Sequence, residues 1–486
     1  LDLSKVKSLY ADGTKEWFFT NDIPHQLNNR TLNGKKFTKA EVQAMSKDEK
    51  VSVYVDYIAQ FGTKSVLSKM VDAFPYGKQS LNRGGMWYTP VSGIWQSVWL
   101  ECVPHNYIGA LQIEAMDNYG VQIRIQPAED AVVIVEGLGE FPMKKGMALI
   151  RPKEPHLWSP EDPYLYNFMV ITETDRVDSY FALRSISRGK VNGIPRLCLN
   201  GKPYFFHGLL DQGYFSDGIF TPADDKGFEN DILSMKALGF NTLRKHIKIE
   251  PEQFYYDCDR LGMIVFQDMV NCGKYSFLRD TALPTVFGGR RRFGVCHKSK
   301  KMRKAFIDAM EKTVKTLYNH PSICLWTIFN EGWGQFKGDE MYKHMRTLDT
   351  SRIIDTASGW FFCKESDIIS PHVYFKKLRV KPQKKPVLVS EFGGYAHAVE
   401  GHIFNTEKAY GYSTYKNLDQ LQSAIKKLYE NEVIPAVPYG LCGAIYTQVS
   451  DVEDEINGIL TYDRRICKLK AEDMLPIAET LKKAIK

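Results

Sequence analysis

The chain lacks any run of about 18 apolar residues, so it carries no ordinary membrane-spanning helix. It also lacks a Cys-x-x-Cys pair. Its nine cysteines are scattered, without metal-ligand spacing. Their odd number, and the seats of Cys198, Cys324 and Cys442 inside apolar stretches, predict reduced, buried thiols and a cytoplasmic protein. No signal-peptide pattern is visible; with Leu1 in first place, export stays open. Charge of one sign is not in excess. Lys and Arg number 64 against 57 Asp and Glu, a formal +7 over 486 residues. That balance does not point to nucleic acid, and the basic residues form no nucleic-acid motif.

What is present is a globular composition, 44% hydrophobic and 13% aromatic, long enough for two or three domains. Tyr (26) and Trp (8) are plentiful enough to line a sugar site as well as a core. Residues 1–104 form a weakly patterned first region, with a short helix expected at Lys39–Met45 and a half-buried strand at Ile94–Val103. Residues 105–187 hold short strands at Ile108–Ala115, Val121–Gln126, Val132–Val135, Ala148–Arg151, Leu165–Thr172 and Tyr180–Leu183. Turn residues separate them, which is the pattern of a small β-sandwich. From 188 to 486 apolar strands alternate with amphipathic helices. Eight strands begin near Tyr204, Phe240, Ile264, Ser322, Ile353, Ile368, Val387 and Leu441, which predicts a (β/α)8 TIM barrel. Strands 5 and 6 have no convincing helix between them.

The barrel reading places the chemistry at the C-terminal strand ends. The stretch Ile323–Phe329, apolar but for one Thr, ends abruptly in Asn330-Glu331 and then Gly332-Trp333-Gly334. An unpaired buried charge costs several kcal/mol, roughly, so Glu331 belongs at an open end and not in the packing. The alternative, an N-cap for the next helix, fits poorly with the two glycines and Trp that follow. Other strand ends are as unusual: His207 and Asp211; Arg244 and His246; Gln267-Asp268; His372 and Tyr374; Glu391; Tyr446, Gln448 and Asp451. Each alone has an ordinary structural explanation, but seven strands of eight ending this way do not. Strands 4 and 7 lie across the barrel from each other, so Glu331 and Glu391 can face one ligand. Such a pair suits glycoside hydrolysis, in which one carboxyl holds a proton and the other is ionised.

Several stretches then carry a family likeness. They are Tyr88-Thr-Pro-Val-Ser-Gly-Ile-Trp95, His156-Leu-Trp-Ser-Pro-Glu-Asp-Pro-Tyr-Leu-Tyr166, Leu199-Asn-Gly-Lys-Pro203, Asp211-Gln-Gly-Tyr214, Phe240-Asn-Thr-Leu-Arg-Lys-His246, Gln267-Asp-Met269, Phe329-Asn-Glu-Gly-Trp-Gly334 and Ser390-Glu-Phe-Gly-Gly394. Over about residues 70–470 the chain resembles glycoside hydrolase family 2, the family of β-galactosidases, β-glucuronidases and β-mannosidases. The resemblance implies a jelly-roll sugar-binding domain (1–104, shortened or remodelled, since 1–70 match poorly), an immunoglobulin-like sandwich (105–187) and the TIM barrel (188–486). It implies retaining hydrolysis of terminal β-linked sugars, with Glu391 as nucleophile and Glu331 as acid/base. By the same resemblance Asn330 binds the sugar 2-OH and Arg244 lies beneath the nucleophile. Asp211, His246, Asp268, Trp333, His372, Tyr374, Tyr446 and Gln448 complete the expected substrate-binding set.

Glucuronide-cleaving relatives carry an Asn-x-Lys motif near strand 8. Here that stretch is Asp454-Glu-Ile-Asn457, without Lys, and Glu453 and Glu455 would repel a uronate. This favours a β-galactosidase-like activity over β-glucuronidase. No metal-ligand set is traceable, so neither metal nor other cofactor is expected. Two basic clusters, Arg290–Arg292 with Lys298, Lys300 and Lys301, and Lys376, Lys377, Arg379, Lys381, Lys384 and Lys385, follow strands 3 and 6. If they line the leaving-group side, the oligosaccharide or polysaccharide-derived substrate is anionic; solvated loop charge is the plainer explanation. A homo-oligomer is an expected assembly, with neither nucleic acid nor membrane as partner. A non-catalytic carbohydrate-binding protein is the competing class, and the intact Glu pair counts against it.

Overall fold

The computed structural model describes residues 75–486 apart from 92, 117–118, 272, 274 and 277–298, together with residues 31–32, 35–36, 41, 44–46 and 49. Two compact units divide between Phe74 and Pro75. In the first, Thr31–Leu32 pairs antiparallel with Lys35–Lys36. The helix expected at Lys39–Met45 and the Arg290–Arg292 cluster with Lys298 lie largely or wholly outside the described residues.

The division falls at 74 and not at the expected 104 because the stretch after Pro75 packs within the second unit. The Tyr76 hydroxyl donates to Gly273 O at 2.7 Å, and the Tyr88 hydroxyl donates to Glu455 Oε2 at 2.5 Å. The strand expected at Ile94–Val103 does not form. Most of its large apolar residues face solvent, Leu100 being 99% exposed, while Trp95 is half-buried against Phe220. Alternation alone was misleading there, because no neighbouring strand among the described residues supplies a face to bury against.

Seven strands follow: β1 (Ala110–Met116), β2 (Gly120–Gln126), β3 (Ala131–Val135), β4 (Gly139–Met143), β5 (Met147–Ile150), β6 (Tyr166–Ile171) and β7 (Arg176–Phe181). They form two antiparallel sheets, β1-β2-β5 and β4-β3-β6-β7. Period-two patterning turns Val121, Ile123 and Ile125 of β2 inward, onto a core shared with Val133, Val135, Phe168 and Val170 of the other sheet. A hairpin, β8 (Ile186–Val191) and β9 (Ile194–Leu199), then turns on Asn192-Gly193. Both turn residues have positive φ (50° and 80°), as a two-residue hairpin requires. The short β10 (Lys202–Pro203) pairs with β9.

The barrel strands are β11 (Phe206–Asp211), β12 (Thr242–Lys245), β13 (Ile264–Asp268), β14 (Ile323–Asn330), β15 (Ile353–Ser358), β16 (His372–Val373), β17 (Val387–Gly393) and β18 (Leu441–Thr447). All pair in parallel, in the order β15-β14-β13-β12-β11-β18-β17-β16. Helices α1 (Gly227–Ala237), α2 (Glu252–Leu261), α3 (Lys300–Leu317), α4 (Gly338–Leu348), α5 (Leu418–Leu428) and α6 (Ala471–Ala484) accompany them. The ring is nearly closed. At its seam β15 and β16 do not pair as strands, although Gly359 N–H bonds across to Ser370 O at 2.9 Å. The connections 359–371 and 374–386 hold no helix. Pro371, Pro382 and Pro386, which lack an N–H, and the like-charged lysines between them explain why.

The sandwich braces the end of the barrel opposite the strand C-termini. Buried Arg184 donates from Nε to Pro321 O (2.8 Å) and from Nη2 to Ile323 O (2.7 Å), at the start of β14. Trp158 Nε1 donates to Asp259 O at 2.8 Å. Cys198, Cys324 and Cys442 are buried free thiols. No helix among the described residues is long and apolar enough to cross a membrane.

Candidate active site

Every residue of β14 is buried, as its apolar run predicts. The strand breaks at Asn330 in a tight turn, with Trp333 N–H donating to Asn330 O at 3.0 Å. The two central residues, Glu331 and Gly332, have φ of 52° and 72°. A glutamate in the left-handed region is unfavourable, and such strain is retained where a side chain must be aimed. A Cβ on Gly332 would collide with the Phe361 ring, so glycine is required beside it. Helix α4 starts only at Gly338, so Glu331 is not its N-cap.

Glu391 lies in β17, directly opposite His372 of β16. The register of β17 against β18 shifts between Val389 and Phe392, a bulge that re-aims Ser390 and Glu391. Period-two alternation divides the neighbours on β12. Arg244 faces into the ring, while Lys245 turns away and binds Asp211 (2.6 Å) and Glu250 (2.9 Å).

Arg244, 1% exposed, joins most of the centre. Its Nη1 donates to Glu391 Oε1 and Ser390 O, each at 2.9 Å. Its Nη2 donates to Asn330 Oδ1 (2.9 Å) and Ser358 Oγ (3.0 Å), and its Nε to Asp268 Oδ1 (3.0 Å). His246 Nδ1 meets Asp268 Oδ2 at 2.8 Å. The second Glu391 oxygen accepts from the Tyr374 hydroxyl at 2.5 Å. Burial alone would raise the Glu391 carboxyl. The neighbouring His372, Arg244 and His246 and the Tyr374 O–H outweigh it and bring the pKa down to about 2. Burial also opposes ionisation of Asp268, but Arg244 and His246 hold it below the usual carboxylate range.

His372 connects the two glutamates. Its Nδ1 lies 2.8 Å from Glu331 Oε1 and 3.4 Å from Glu391 Oε2. Its Nε2 lies 3.4 Å from Arg244 Nη1, which can only donate. In the neutral ring that contact makes Nε2 the acceptor and puts the proton on Nδ1, pointing at Glu331; in the charged ring Nδ1 donates there as well. Glu331, His372 and Glu391 each offer a ligand atom within 4.8 Å of the others. The set does not suit a cation well. An ion there would displace the His372–Glu331 bond and sit beside the Arg244 guanidinium, whose charge opposes it.

The structure thus brings together Glu331, Glu391, Arg244, His246, Asp268, Asn330, His372 and Tyr374. The other expected residues bond to different partners. Asp211 is held by Lys245 and by Gly213 N–H. Gln448 bonds Gln212 and Asn457. The Tyr446 hydroxyl accepts from Tyr395 N–H, and its ring packs on Phe392. Trp333 is buried, with its indole N–H on Gly273 O and its ring against Trp87 and Tyr76. Of the residues named only as strand-end candidates, His207 lies low in β11. Its Nδ1 meets Gly239 O, and burial brings its pKa down to about 4. Asp451 is paired with Lys468.

Three contributors were not foreseen. Ser358 Oγ donates to Asn330 Oδ1 at 2.8 Å, and its place as the last residue of β15 is the signal that could have found it. Tyr412 stacks on Tyr374 at 4.0 Å, and Thr447 Oγ1 meets the Tyr374 hydroxyl at 2.9 Å. Tyr412 comes from an irregular stretch, and no sequence pattern marks it.

The protein family described as "Glycosyl hydrolases family 2, TIM barrel domain" matches residues 191–471. A β-galactosidase of Aeromonas hydrophila subsp. hydrophila is 28% identical over 280 residues, covering 50% of this chain and 25% of that protein. A β-glucuronidase of Rattus norvegicus is 24% identical over 277 residues, covering 54% of this chain and 38% of that protein. The chain therefore spans well under half the length of these relatives. In structure it is similar to a β-D-glucuronidase of Dictyoglomus thermophilum, with a TM-score of 0.58 at 18% identity, over 78% of this chain and 69% of that one. With the family matching more than half of its length, the chain belongs to glycosyl hydrolase family 2.

Proposed function

We propose that the protein is a retaining exo-β-glycosidase that removes a neutral terminal sugar, galactose in the first instance. The observation that carries this reading is the placing of Glu331 and Glu391 on either side of His372, with oxygens within 4.8 Å of each other. Separations of about 5–5.5 Å between carboxyl groups go with double displacement, whereas inversion needs room for a water between them. In this reading Glu391, kept ionised by Arg244 and Tyr374, attacks the anomeric carbon. Glu331 accepts from His372 on Oε1, leaving Oε2 to carry the proton to the departing oxygen. The glycosyl-enzyme ester is then hydrolysed by a water that Glu331 deprotonates. In this reading Asn330, held by Arg244 and Ser358, bonds the sugar 2-OH.

A neutral sugar is favoured by the acidic wall near β18. Glu455 accepts from the Tyr88 hydroxyl and from Asn457 (3.0 Å), and Glu453 accepts from Thr89 N–H at 2.9 Å. Burial raises the Glu455 carboxyl. Arg83, 3.6 Å from Glu453, offsets that group, so the case against a uronate rests on Glu455, beside which a second carboxylate would meet repulsion or lost solvation.

The test is a panel of nitrophenyl β-glycosides. Turnover of the galactoside above the glucuronide, mannoside and glucoside is expected. Glu391→Ala should lose roughly 10⁴-fold or more in kcat, and azide should restore turnover by attack from the vacated side. No turnover of any member of the panel, or near-unchanged activity in Glu391→Ala, overturns the reading.

A further inference from the structure

We propose that the helix-free seam of the barrel is a binding cleft for the leaving part of a polyanionic oligosaccharide. The cleft has a volume of about 1360 Å³ and runs between the connections 359–371 and 374–386. Gly359, Trp360, His372 and Tyr374 line its inner end. That end adjoins the chemistry: a Cβ added to Gly359 would lie 3.1 Å from Glu331 Cγ and 3.4 Å from His372 Nδ1. A chain leaving the two glutamates therefore has a direct route into it.

The outer part of the cleft is cationic. Lys376, Lys377, Arg379, Lys381, Lys384 and Lys385 line it, and no Asp or Glu does. Lys385 donates to Lys364 O at 2.9 Å, but the other five make no ion pair among the described residues. The Glu432 carboxylate, which accepts from Leu378 N–H at 2.7 Å, is a counter-charge beside them, but six cations outnumber it; like charges so crowded repel one another, and a bound polyanion relieves that cost. Phe362 and Phe375, 52% and 69% exposed, stand in the same lining and offer faces on which sugar rings stack. Two properties of a charged glycan, rings and regularly spaced anions, thus meet complementary features in one groove. With a neutral terminal sugar, as the proposed function has it, the anions belong to the leaving part.

This inference rests on the glycosidase reading, and the test separates the two. Binding is measured on the full chain by fluorescence anisotropy with four labelled probes: a sulfated oligosaccharide, a carboxylate-only oligouronide, a neutral oligosaccharide of equal length and a single-stranded DNA of equal charge. One or both charged glycans should bind, with affinity falling steeply from 50 to 300 mM salt, and the neutral one weakly. The first two arms tell sulfate from carboxylate. The variant Lys376→Gln/Lys377→Gln/Lys381→Gln should weaken glycan binding by about tenfold, since exposed ion pairs are each worth a few-fold. It should leave kcat for the best nitrophenyl glycoside unchanged, which also shows that it folds. Equal binding of neutral and charged glycans, an unaltered affinity in the triple variant, or DNA binding as tight as glycan overturns the proposal. Failure of the nitrophenyl panel alone overturns the glycosidase reading, while the anisotropy still decides what the cleft binds.

Discussion

Strand β14 has buried arginine at both ends, Arg184 and Arg352 at its start and Arg244 at its finish, and the two ends are bonded differently. At its start Arg352 donates to the carbonyls of Ile323 (2.8 Å), Tyr318 (2.7 Å) and His320 (2.9 Å) and to Asp349 Oδ2 (2.7 Å). Asp349 is filled in turn by Trp326 Nε1 on that oxygen and by Ser351 on the other. Nothing is left over to react. At its finish Arg244 holds two carboxylates, and one of them, Glu391, lies within reach of a third, Glu331. Both ends bury charge, so burial of charge does not distinguish them. Crowding of carboxylates beyond what the cation can neutralise does, and it occurs only at the end where barrel enzymes work.

Replacing an arginine at each end tests this contrast most strongly. Arg244→Gln strands Asp268 and Glu391 and should cost about 3–5 kcal/mol of stability. Its kcat should fall by roughly 10²–10³-fold as well. Arg352→Gln should cost a similar amount in urea unfolding, with kcat of the folded fraction unchanged. Equal losses of kcat in the two variants would erase the distinction.

Removing the Tyr374 hydroxyl is the next largest change. Tyr374→Phe deletes a charge-assisted bond worth about 1.5–3 kcal/mol, so kcat/KM should fall roughly ten- to a hundredfold. In the proposed mechanism Glu391 is ionised when it attacks, so activity should fall as pH drops through its pKa. With that value at about 2 in the native protein, the acidic limb from this group lies far below pH 4. In the variant it should move to higher pH, which a pH–rate profile reads.

The smallest effect concerns Asp355 in β15. Burial raises its pKa to about 7, against a lowering hydrogen bond from Ser370 and the nearby Arg244. Above the ordinary value of 3.8 the unfolded chain has lost this proton and the native chain keeps it up to about pH 7. The native state then binds more protons, so stability should fall with rising pH in that window, by at most roughly 1.4 kcal/mol per unit. Asp355→Asn should flatten this slope in denaturation series at pH 5, 6 and 7, and an unchanged slope would assign it to other groups.

The parts legible in the sequence were those governed by period and abrupt change. An eight-residue buried strand that stops at a carboxylate is visible in one dimension, and so is Ser390-Glu391 after Val387–Val389. Gly139–Met143 was missed because its glycine and Pro142 read as turn residues, although it lies in a sheet. Tyr412 could not be read at all, because its stacking on Tyr374 is fixed by how two irregular segments meet in space. Asp211 and Arg244 looked alike as strand-end polar residues. Only the pleat, which turns Asp211 toward Lys245, separates them.

The turn at Glu331 and Gly332 has a consequence for inheritance. The proposed acid is specified by two codons, one for the carboxyl group and one for the absence of a side chain beside it. A change at position 332 would leave every reacting atom in the protein and still move the proton off its line. Any search among kindred chains for loss of hydrolytic power should therefore examine the glycine as closely as the glutamate.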